Sequence, residues 1–426
     1  MNTVHDLIGI GFGPSNLALA IALHEQPRPH AIDAHFIEKQ PHFAWHPDML
    51  LPGTHMQISF LKDLVSMRNP RSHFSFVNYL HHHSRLQDFI NLKTFLPSRI
   101  EFNDYFRWSA THFRDQCSYG EEVVDIQPVF DDDEVHLLRV ISQTRTGQRH
   151  QRLARNLALG LGGRPHVPDA FLALQQDPRI FHSHHYLKGL SANPTARRIA
   201  ILGAGQSAAE IFVDLGQRPG IDQIDLIMRA HVIKPADDSP FVNEIFNTEF
   251  VDYIFNCPAA DRHNMLCEFR HTNYACTDLD LICQIFDTLY QQRVTAQQRQ
   301  RILCRHLIED IQNDGDGITL QLHDQNHGQH IQRQYDALIL ATGYERGHHQ
   351  ALLAKLAPYL GNFEVARDYR IRSSPTFKPA IFVQGGSEQT HGLSDTLLSV
   401  TAVRVGEIAE SLLTVLQKQP QHTETT

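Results

Sequence analysis

The residues best suited to chemistry lie in two glycine clusters. In DLIGIGFGPSNLALAIAL an apolar strand runs into Gly9, Gly11 and Gly13, with Pro14 opening an Ala- and Leu-rich stretch. Glycine allows the tight turn and lets a pyrophosphate reach the backbone where a helix N-terminus favours negative charge. Pro14 stands where the fingerprint has Gly or Ala, and a first helical turn tolerates it because its missing N–H has no intrahelical partner there. Glu38, ending the next strand AHFIE, is spaced to accept hydrogen bonds from an adenosine ribose. In RRIAILGAGQSAAEIFVDL, Gly203, Gly205 and Ala208 fit G-x-G-x-x-A after a strand. Here the residue near the end of the next strand, IDLIMRA, is Arg229 rather than an acid. An acid there pairs with a free ribose 2′-hydroxyl, whereas an arginine pairs with a 2′-phosphate. The first cluster is therefore expected to hold FAD and the second NADPH, with electrons passing between them.

The elements that must position these clusters can be read from periodicity. Each cluster heads a strand–turn–helix unit, which predicts an α/β fold with two Rossmann-like dinucleotide-binding domains and a smaller, mostly helical substrate-binding region. Residues 120–165 alternate like antiparallel strands, and FNDYFRWSATHF reads as a helix. The expected division is 1–190 plus 335–426 for the FAD domain, 195–235 plus 300–335 for the NADPH domain, and 236–300 for the substrate region. The strand DALILATGY brings Thr342 and Gly343 to a strand end, where small residues admit a cofactor. A helix is expected over 393–416, with Ser394 and Asp395 as cap-like residues. The polar tail from Gln417 reads as frayed.

Composition removes several classes of function. With 38 Lys plus Arg against 47 Asp plus Glu, the net charge of −9 argues against a nucleic-acid-coating surface. No apolar run is long enough for a membrane span, and no signal-peptide pattern precedes the first strand. The six cysteines (117, 257, 267, 276, 283 and 304) form no CxxC pair, so a reduced, cytoplasmic protein is expected. Their spacing also counts against a pyridine nucleotide–disulfide reductase, which needs a redox cysteine pair beside its flavin. A non-catalytic flavin-binding protein stays open as an alternative. Histidines are numerous at 29, but His81–His83 and His182/His184/His185 lack metal-site spacing, and no metal is expected.

Longer strings carry a resemblance. MQISFLKDLVSMRNPRSHFSFVNYL, FNDYFRW, GAGQSAAE, KPADDSPFVNEIF, HTNY, ATGY and HGLSDTLLS together resemble the flavin-dependent N-hydroxylating monooxygenases of hydroxamate siderophore biosynthesis, which act on ornithine, lysine or diamines. The resemblance covers nearly the whole chain. It implies that NADPH reduces FAD, that O2 adds to give a C4a-hydroperoxyflavin, and that one oxygen passes to a neutral primary amine. By motif match, Met56 and Gln57 resemble the pair beside the flavin ring, with Gln57 catalytic. Trp45 and His46 resemble residues of a flavin-covering loop, and Leu398 also falls on the cofactor side. Lys62 resembles the lysine that holds a substrate carboxylate. Asn243 and Ser399 resemble substrate-binding residues, and Asn273 and Tyr274 resemble residues bridging substrate and nicotinamide nucleotide, Asn273 also with a catalytic part. Ser207 and Arg229 match the adenosine-phosphate end. The resemblance further implies a homo-tetramer or homo-dimer acting on a small amine and O2.

Several of these residues have ordinary readings. Met56 could be core filler, Trp45 a loop anchor, Lys62 a partner of Asp63, and Asn243 a helix cap. His391 could adjoin the flavin or serve a turn. The substrate stays open among ornithine, lysine, cadaverine and putrescine.

Overall fold

A computed structural model describes residues 3–27 and 32–419, so the tail beyond Gln419 lies outside the described residues. The first sheet is built on strand Val4–Ile10, which pairs in parallel with Ala34–Glu38 on one side and with Arg149–Leu159 on the other. Its residues from Leu7 onward are buried on both faces, as a covered parallel sheet requires. Strand Arg149–Leu159 does two jobs. Its first half pairs antiparallel with Glu134–Thr144, which pairs in turn with Glu121–Asp131, and its second half pairs in parallel with Ile381–Val383. Strands Glu121–Asp131 and Glu134–Thr144 are thus the antiparallel annex of the first sheet, while Arg164–Pro165 pairs separately with Tyr344–Glu345.

The second sheet is wholly parallel, in the order Gln300–Cys304, Gln223–Met228, Arg198–Leu202, Ala337–Leu340, Ile180–His182. The antiparallel strands His306–Asn313, Ile318–Asp324 and Gln329–Tyr335 pack Ile318, Leu320 and Leu322 against Leu202 and Leu340 of this sheet. Helices Thr248–Asn256, Ala259–Asn273 and Leu279–Val294 account for the expected helical region.

Two segments depart from the sequence division. Strands Ile180–His182 and Ala337–Leu340, grouped above with the first unit, hydrogen-bond into the second sheet. Periodicity marks a buried strand, but which sheet satisfies its backbone groups is a long-range matter. The closing helix begins at Thr401, not at 393, because Leu393–Thr396 and Leu398–Val400 form tight 3-10 turns after Gly392, whose φ is +86°. Asp395 does not cap that helix. Its carboxylate accepts the Ser387 N–H at 2.6 Å and faces Arg404.

The mixed segment 45–110 is held by an aromatic core. Helix Arg99–Thr111 starts at a serine N-cap, with Ser98 Oγ accepting the Glu101 N–H at 3.1 Å. It buries Phe102, Tyr105 and Phe106 against Phe76 and Phe89. The MQISF loop is tied down beside it: Met56 N–H donates to Pro97 O and Phe60 N–H to Phe95 O, both at 2.9 Å.

Candidate active site

At the first glycine turn, Gly11 has φ +80°, and a Cβ there would lie 2.5 Å from the Gly160 carbonyl oxygen. Only glycine fits. Gly13 precedes Pro14, the first residue of helix Pro14–His24, and a Cβ on it would meet nothing within 4 Å. Glu38 is buried at the end of its strand and accepts the Phe12 N–H at 2.7 Å and the Gln40 N–H at 2.8 Å, which ties the acid to the turn. Asn16 binds three backbone carbonyls, of Ile10, Gly11 and Ala158, and accepts from Gln384 Nε2 at 2.8 Å. Ser387 Oγ, Ser394 Oγ and Gln384 Oε1 are buried without a hydrogen-bond partner. Buried polar atoms are rarely left unpaired, so this cluster beside an open glycine turn fits a polar cofactor. FAD fits the residues present.

Beneath this turn lies an ion pair. The side chains of Arg404 and Asp395 are 1% and 0% exposed, and the guanidinium also reaches Asp395 O at 2.5 Å and Ser15 Oγ at 3.1 Å. His391 is likewise buried, stacked on Tyr369 at 4.4 Å, with Nδ1 at 2.8 Å from Thr390 Oγ1. The turn reading of His391 is the one its packing supports.

The second turn is more open. Gly203 has φ +151°, and a Cβ there would strike the Ala341 carbonyl oxygen at 2.3 Å. Gly205 caps helix Gln206–Gln217, whose second residue is Ser207, and Ala208 is fully buried behind it. Arg229, just past strand Gln223–Met228, is exposed and has no ion-pair partner among the described residues. Both fit a phosphorylated ribose. Thr342 Oγ1 donates to His166 O at 2.5 Å, and Gly343 O faces His182 Nε2 at 2.9 Å.

Several other residues singled out by sequence are held by specific contacts. Tyr274 Oη donates to Glu388 Oε2 at 2.6 Å, joining the end of helix Ala259–Asn273 to the short helix Glu388–His391 that follows strand Ile381–Val383. Burial, then the Glu388 carboxylate, pushes its phenol up to about 12. Gln57 is exposed and donates to Asp278 Oδ1 at 3.0 Å. Trp45 is pinned through its N–H to Asn103 Oδ1 at 3.0 Å and packs on Phe106 at 5.4 Å. His46 adopts φ +47°, and burial, then His184, lowers its imidazole to about 4. Met56 lies in the first core, Leu398 is packed against that core, and Ser399 is buried.

Lys62 differs from its ordinary reading. Asp63 is buried and its carboxylate is taken by Val65 N–H, Ser66 N–H, Ser66 Oγ and Phe76 N–H. The Lys62 amine is left half-buried, with no side-chain partner among the described residues, and burial lowers its pKa. Asn243 does not cap a helix: it lies inside the turn Val242–Phe246, and its Nδ2 donates to Asp238 O at 2.7 Å. Asn273 ends its helix.

Among the described residues, no group of three or more His, Cys, Asp or Glu is placed to hold a metal ion, and no helix is long and apolar enough to cross a membrane. All six cysteines are free thiols. Sequence reasoning missed Asn16, Gln206, Asp278, Gln384, Glu388 and the Asp395–Arg404 pair as site residues. Asn16 and Gln206 sit inside the glycine motifs and could have been found there. The others face the site only through tertiary contacts.

Two nucleotide-binding turns in one chain, with no redox cysteine pair, define a flavoprotein that takes electrons from a nicotinamide nucleotide. A family model described as L-lysine 6-monooxygenase/L-ornithine 5-monooxygenase matches residues 3–346. The chain belongs to this family and is an FAD- and NADPH-dependent amine N-monooxygenase. It is 49% identical over 414 residues to an L-ornithine N(5)-monooxygenase of Pseudomonas aeruginosa, covering 96% of this chain and 94% of that one. The solved ornithine hydroxylase from that organism superposes with a TM-score of 0.94 over 97% of this chain and 100% of its own. The ornithine N-hydroxylase of Kutzneria sp. 744, solved with reduced FAD, NADP+ and L-ornithine, is 35% identical with a TM-score of 0.91, covering 96% of this chain and 99% of its own. The FAD-bound cadaverine monooxygenase of Erwinia amylovora is 28% identical with a TM-score of 0.84, covering 96% and 95%.

Proposed function

We propose that this enzyme hydroxylates the terminal side-chain amine of L-ornithine, for hydroxamate siderophore synthesis. Lys62 carries the reading. A half-buried ammonium without a protein partner costs free energy unless an anion meets it, and ornithine brings a carboxylate that cadaverine and putrescine lack. The higher identity to ornithine enzymes supports the same choice. In this reading Asn243 uses its free Oδ1 on the α-amino end, while Asn273 and Ser399 line the path to the reacting nitrogen.

FAD, when bound and reduced by NADPH, would supply the two electrons that split O2, one oxygen atom going to the amine and the other leaving as water. The chain's own residues set the conditions for that transfer. The substrate nitrogen must be neutral, and desolvation between the units lowers an amine pKa. Gln57 orients the oxygen to be transferred, Met56 and Leu398 keep the flavin side dry, and Trp45 and His46 cover it. Ser207 and Arg229 hold the 2′-phosphate end, with Tyr274 between nucleotide and substrate. Gly9, Gly11, Gly13, Pro14 and Glu38 serve FAD, Gly203 and Gly205 serve NADPH, and Thr342 and Gly343 lie where the units meet.

Product formation from ornithine, lysine, cadaverine and putrescine, compared side by side, tests the reading. Lys62→Ala is expected to raise the ornithine KM by about ten- to a hundredfold, the loss of one charge-assisted contact, while leaving cadaverine unchanged. Equal loss on both amines refutes the carboxylate role.

We also infer a cytoplasmic homo-oligomer. The free thiols support the compartment. The apolar stripe Leu279, Phe286, Tyr290 and Val294, exposed along one helix, supports self-association. Light scattering that gives a 48.6 kDa particle at micromolar concentration refutes the oligomer.

A further inference from the structure

Asp278 occupies the N-cap position of helix Leu279–Val294, yet its side chain makes no capping bond. An aspartate there ordinarily satisfies an orphan N–H of the first turn. Here both carboxylate oxygens turn away: Oδ1 accepts from Gln57 Nε2 at 3.0 Å, and Oδ2 accepts from Gln206 Nε2 at 2.9 Å. The Asp278 N–H donates to Gln206 Oε1 at 2.9 Å, so Gln206 is gripped at both ends of its amide. Gln206 Nε2 also reaches Glu210 Oε1 at 3.0 Å, and Glu210 is held in a two-pronged pair by Arg99 at 2.7 and 2.8 Å. The chain Gln57–Asp278–Gln206–Glu210–Arg99 therefore leaves the MQISF loop, crosses the nucleotide turn of the second unit and returns to the helix beside that loop.

We propose that Asp278 is a positioning residue that fixes the amide orientation of Gln57 and ties it to the NADPH turn. A carboxylate only accepts, so Gln57 must present Nε2 to it and leave Oε1 free for a ligand. The same carboxylate sets Gln206, the first residue of the helix after Gly205, where nucleotide phosphates meet the helix N-terminus. Nucleotide occupancy and the Gln57 orientation then share one hub, and their free energies are linked reciprocally. The inference rests on the role given to Gln57 above, but the tie to the nucleotide turn can be measured apart from it.

Asp278→Asn is close in shape but offers one acceptor and one donor, so one of the two glutamines must turn. Asp278→Ser keeps an ordinary helix cap and reaches neither glutamine as a carboxylate does. For both variants, calorimetric titration of oxidised, FAD-loaded protein is expected to show NADP+ binding about tenfold weaker, the loss of one hydrogen bond to a charged group. Hydroxylamine formed per NADPH oxidised, at saturating amine, is expected to fall toward the value of Gln57→Ala, with the rate of flavin reduction at saturating NADPH unchanged. The double variant Asp278→Asn/Gln57→Ala is expected to match Gln57→Ala alone, because both act on one interaction. Wild-type NADP+ affinity in both Asp278 variants overturns the inference. So does a wild-type product ratio in them when Gln57→Ala is uncoupled. If Gln57→Ala itself keeps the wild-type ratio, the role given to Gln57 fails, and NADP+ affinity alone decides the tie to the turn.

Discussion

The two glycine turns share a strand–turn–helix plan but differ in what stands behind them. Behind the first are groups shut away from water: Glu38 on two backbone N–H groups, Asn16 on three carbonyls, and the Asp395–Arg404 pair. Behind the second the polar contacts lie nearer the surface. Gln206 and Asp278 are half-buried, and Arg229 is exposed and unpaired among the described residues. A buried cradle whose remaining unpaired polar atoms await a ligand is costly to leave empty and suits a cofactor that stays, while an open one suits a nucleotide that arrives and leaves each turnover. Chemistry read from the motifs alone makes the turns nearly equal. Their surroundings make them different.

The largest expected effect breaks the first cradle. Asp395→Ala leaves the Arg404 charge buried without its carboxylate and frees the Ser387 N–H, a loss of about 3–5 kcal/mol. The thermal midpoint should drop by several degrees and purified protein should carry less flavin. Replacing both residues with apolar ones, as in Asp395→Leu/Arg404→Met, should recover part of the midpoint but not the flavin. If Asp395→Ala keeps full FAD content, the pair does not support the cofactor turn.

The second cradle should fail differently. Arg229→Ala removes an exposed charge that no group among the described residues neutralises, so folding and flavin content should hold. The NADPH KM should rise about ten- to a hundredfold and the NADH KM should barely move. Equal changes for both nucleotides would place Arg229 away from the 2′-phosphate.

Much of this contrast was legible in sequence, and the rest has identifiable reasons for being hidden. Glycine turns, the acid at Glu38 and the arginine at Arg229 are local signals, because strand, turn and helix are contiguous. The N-cap at Ser98 is local too, and FNDYFRW reads as a helix. Strands 180–182 and 337–340, which the sequence division groups with the first unit, pair within the second sheet, and such partners lie far apart in sequence. Asp278 and Glu388 carried no motif of their own. Each gains its meaning from a residue far along the chain, Gln57 and Tyr274 respectively. Lys62 shows the reverse case: its neighbour Asp63 looked like a partner, but folding spends that carboxylate on backbone N–H groups.

The smallest expected effect concerns acid. His182 ends a strand of the second sheet, and its two ring nitrogens have opposite duties. Nδ1 accepts the His184 N–H at 3.0 Å, so Nε2 carries the proton facing Gly343 O at 2.9 Å. Only the neutral ring does both, and burial, the largest cause, lowers its pKa to about 4. In the unfolded chain the ring titrates near 6.5. Above that pH neither state is charged and His182 adds no pH dependence. As pH falls from 6.5 toward 4, the unfolded chain takes up a proton that the folded ring refuses, so stability is lost through that window. His35, in the first sheet, is also lowered to about 4, by burial and then by Arg152, so both units contribute to the acid slope. Thermal midpoints followed from pH 7 to pH 5 should fall in the wild type. His182→Gln, which keeps one donor and one acceptor but cannot titrate, should start lower at pH 7 and fall less steeply. His35→Gln should flatten the slope through the other sheet, so the two variants together report how the two units share the response to acid. Slopes identical to wild type in both variants would show that neither imidazole is held neutral by the fold.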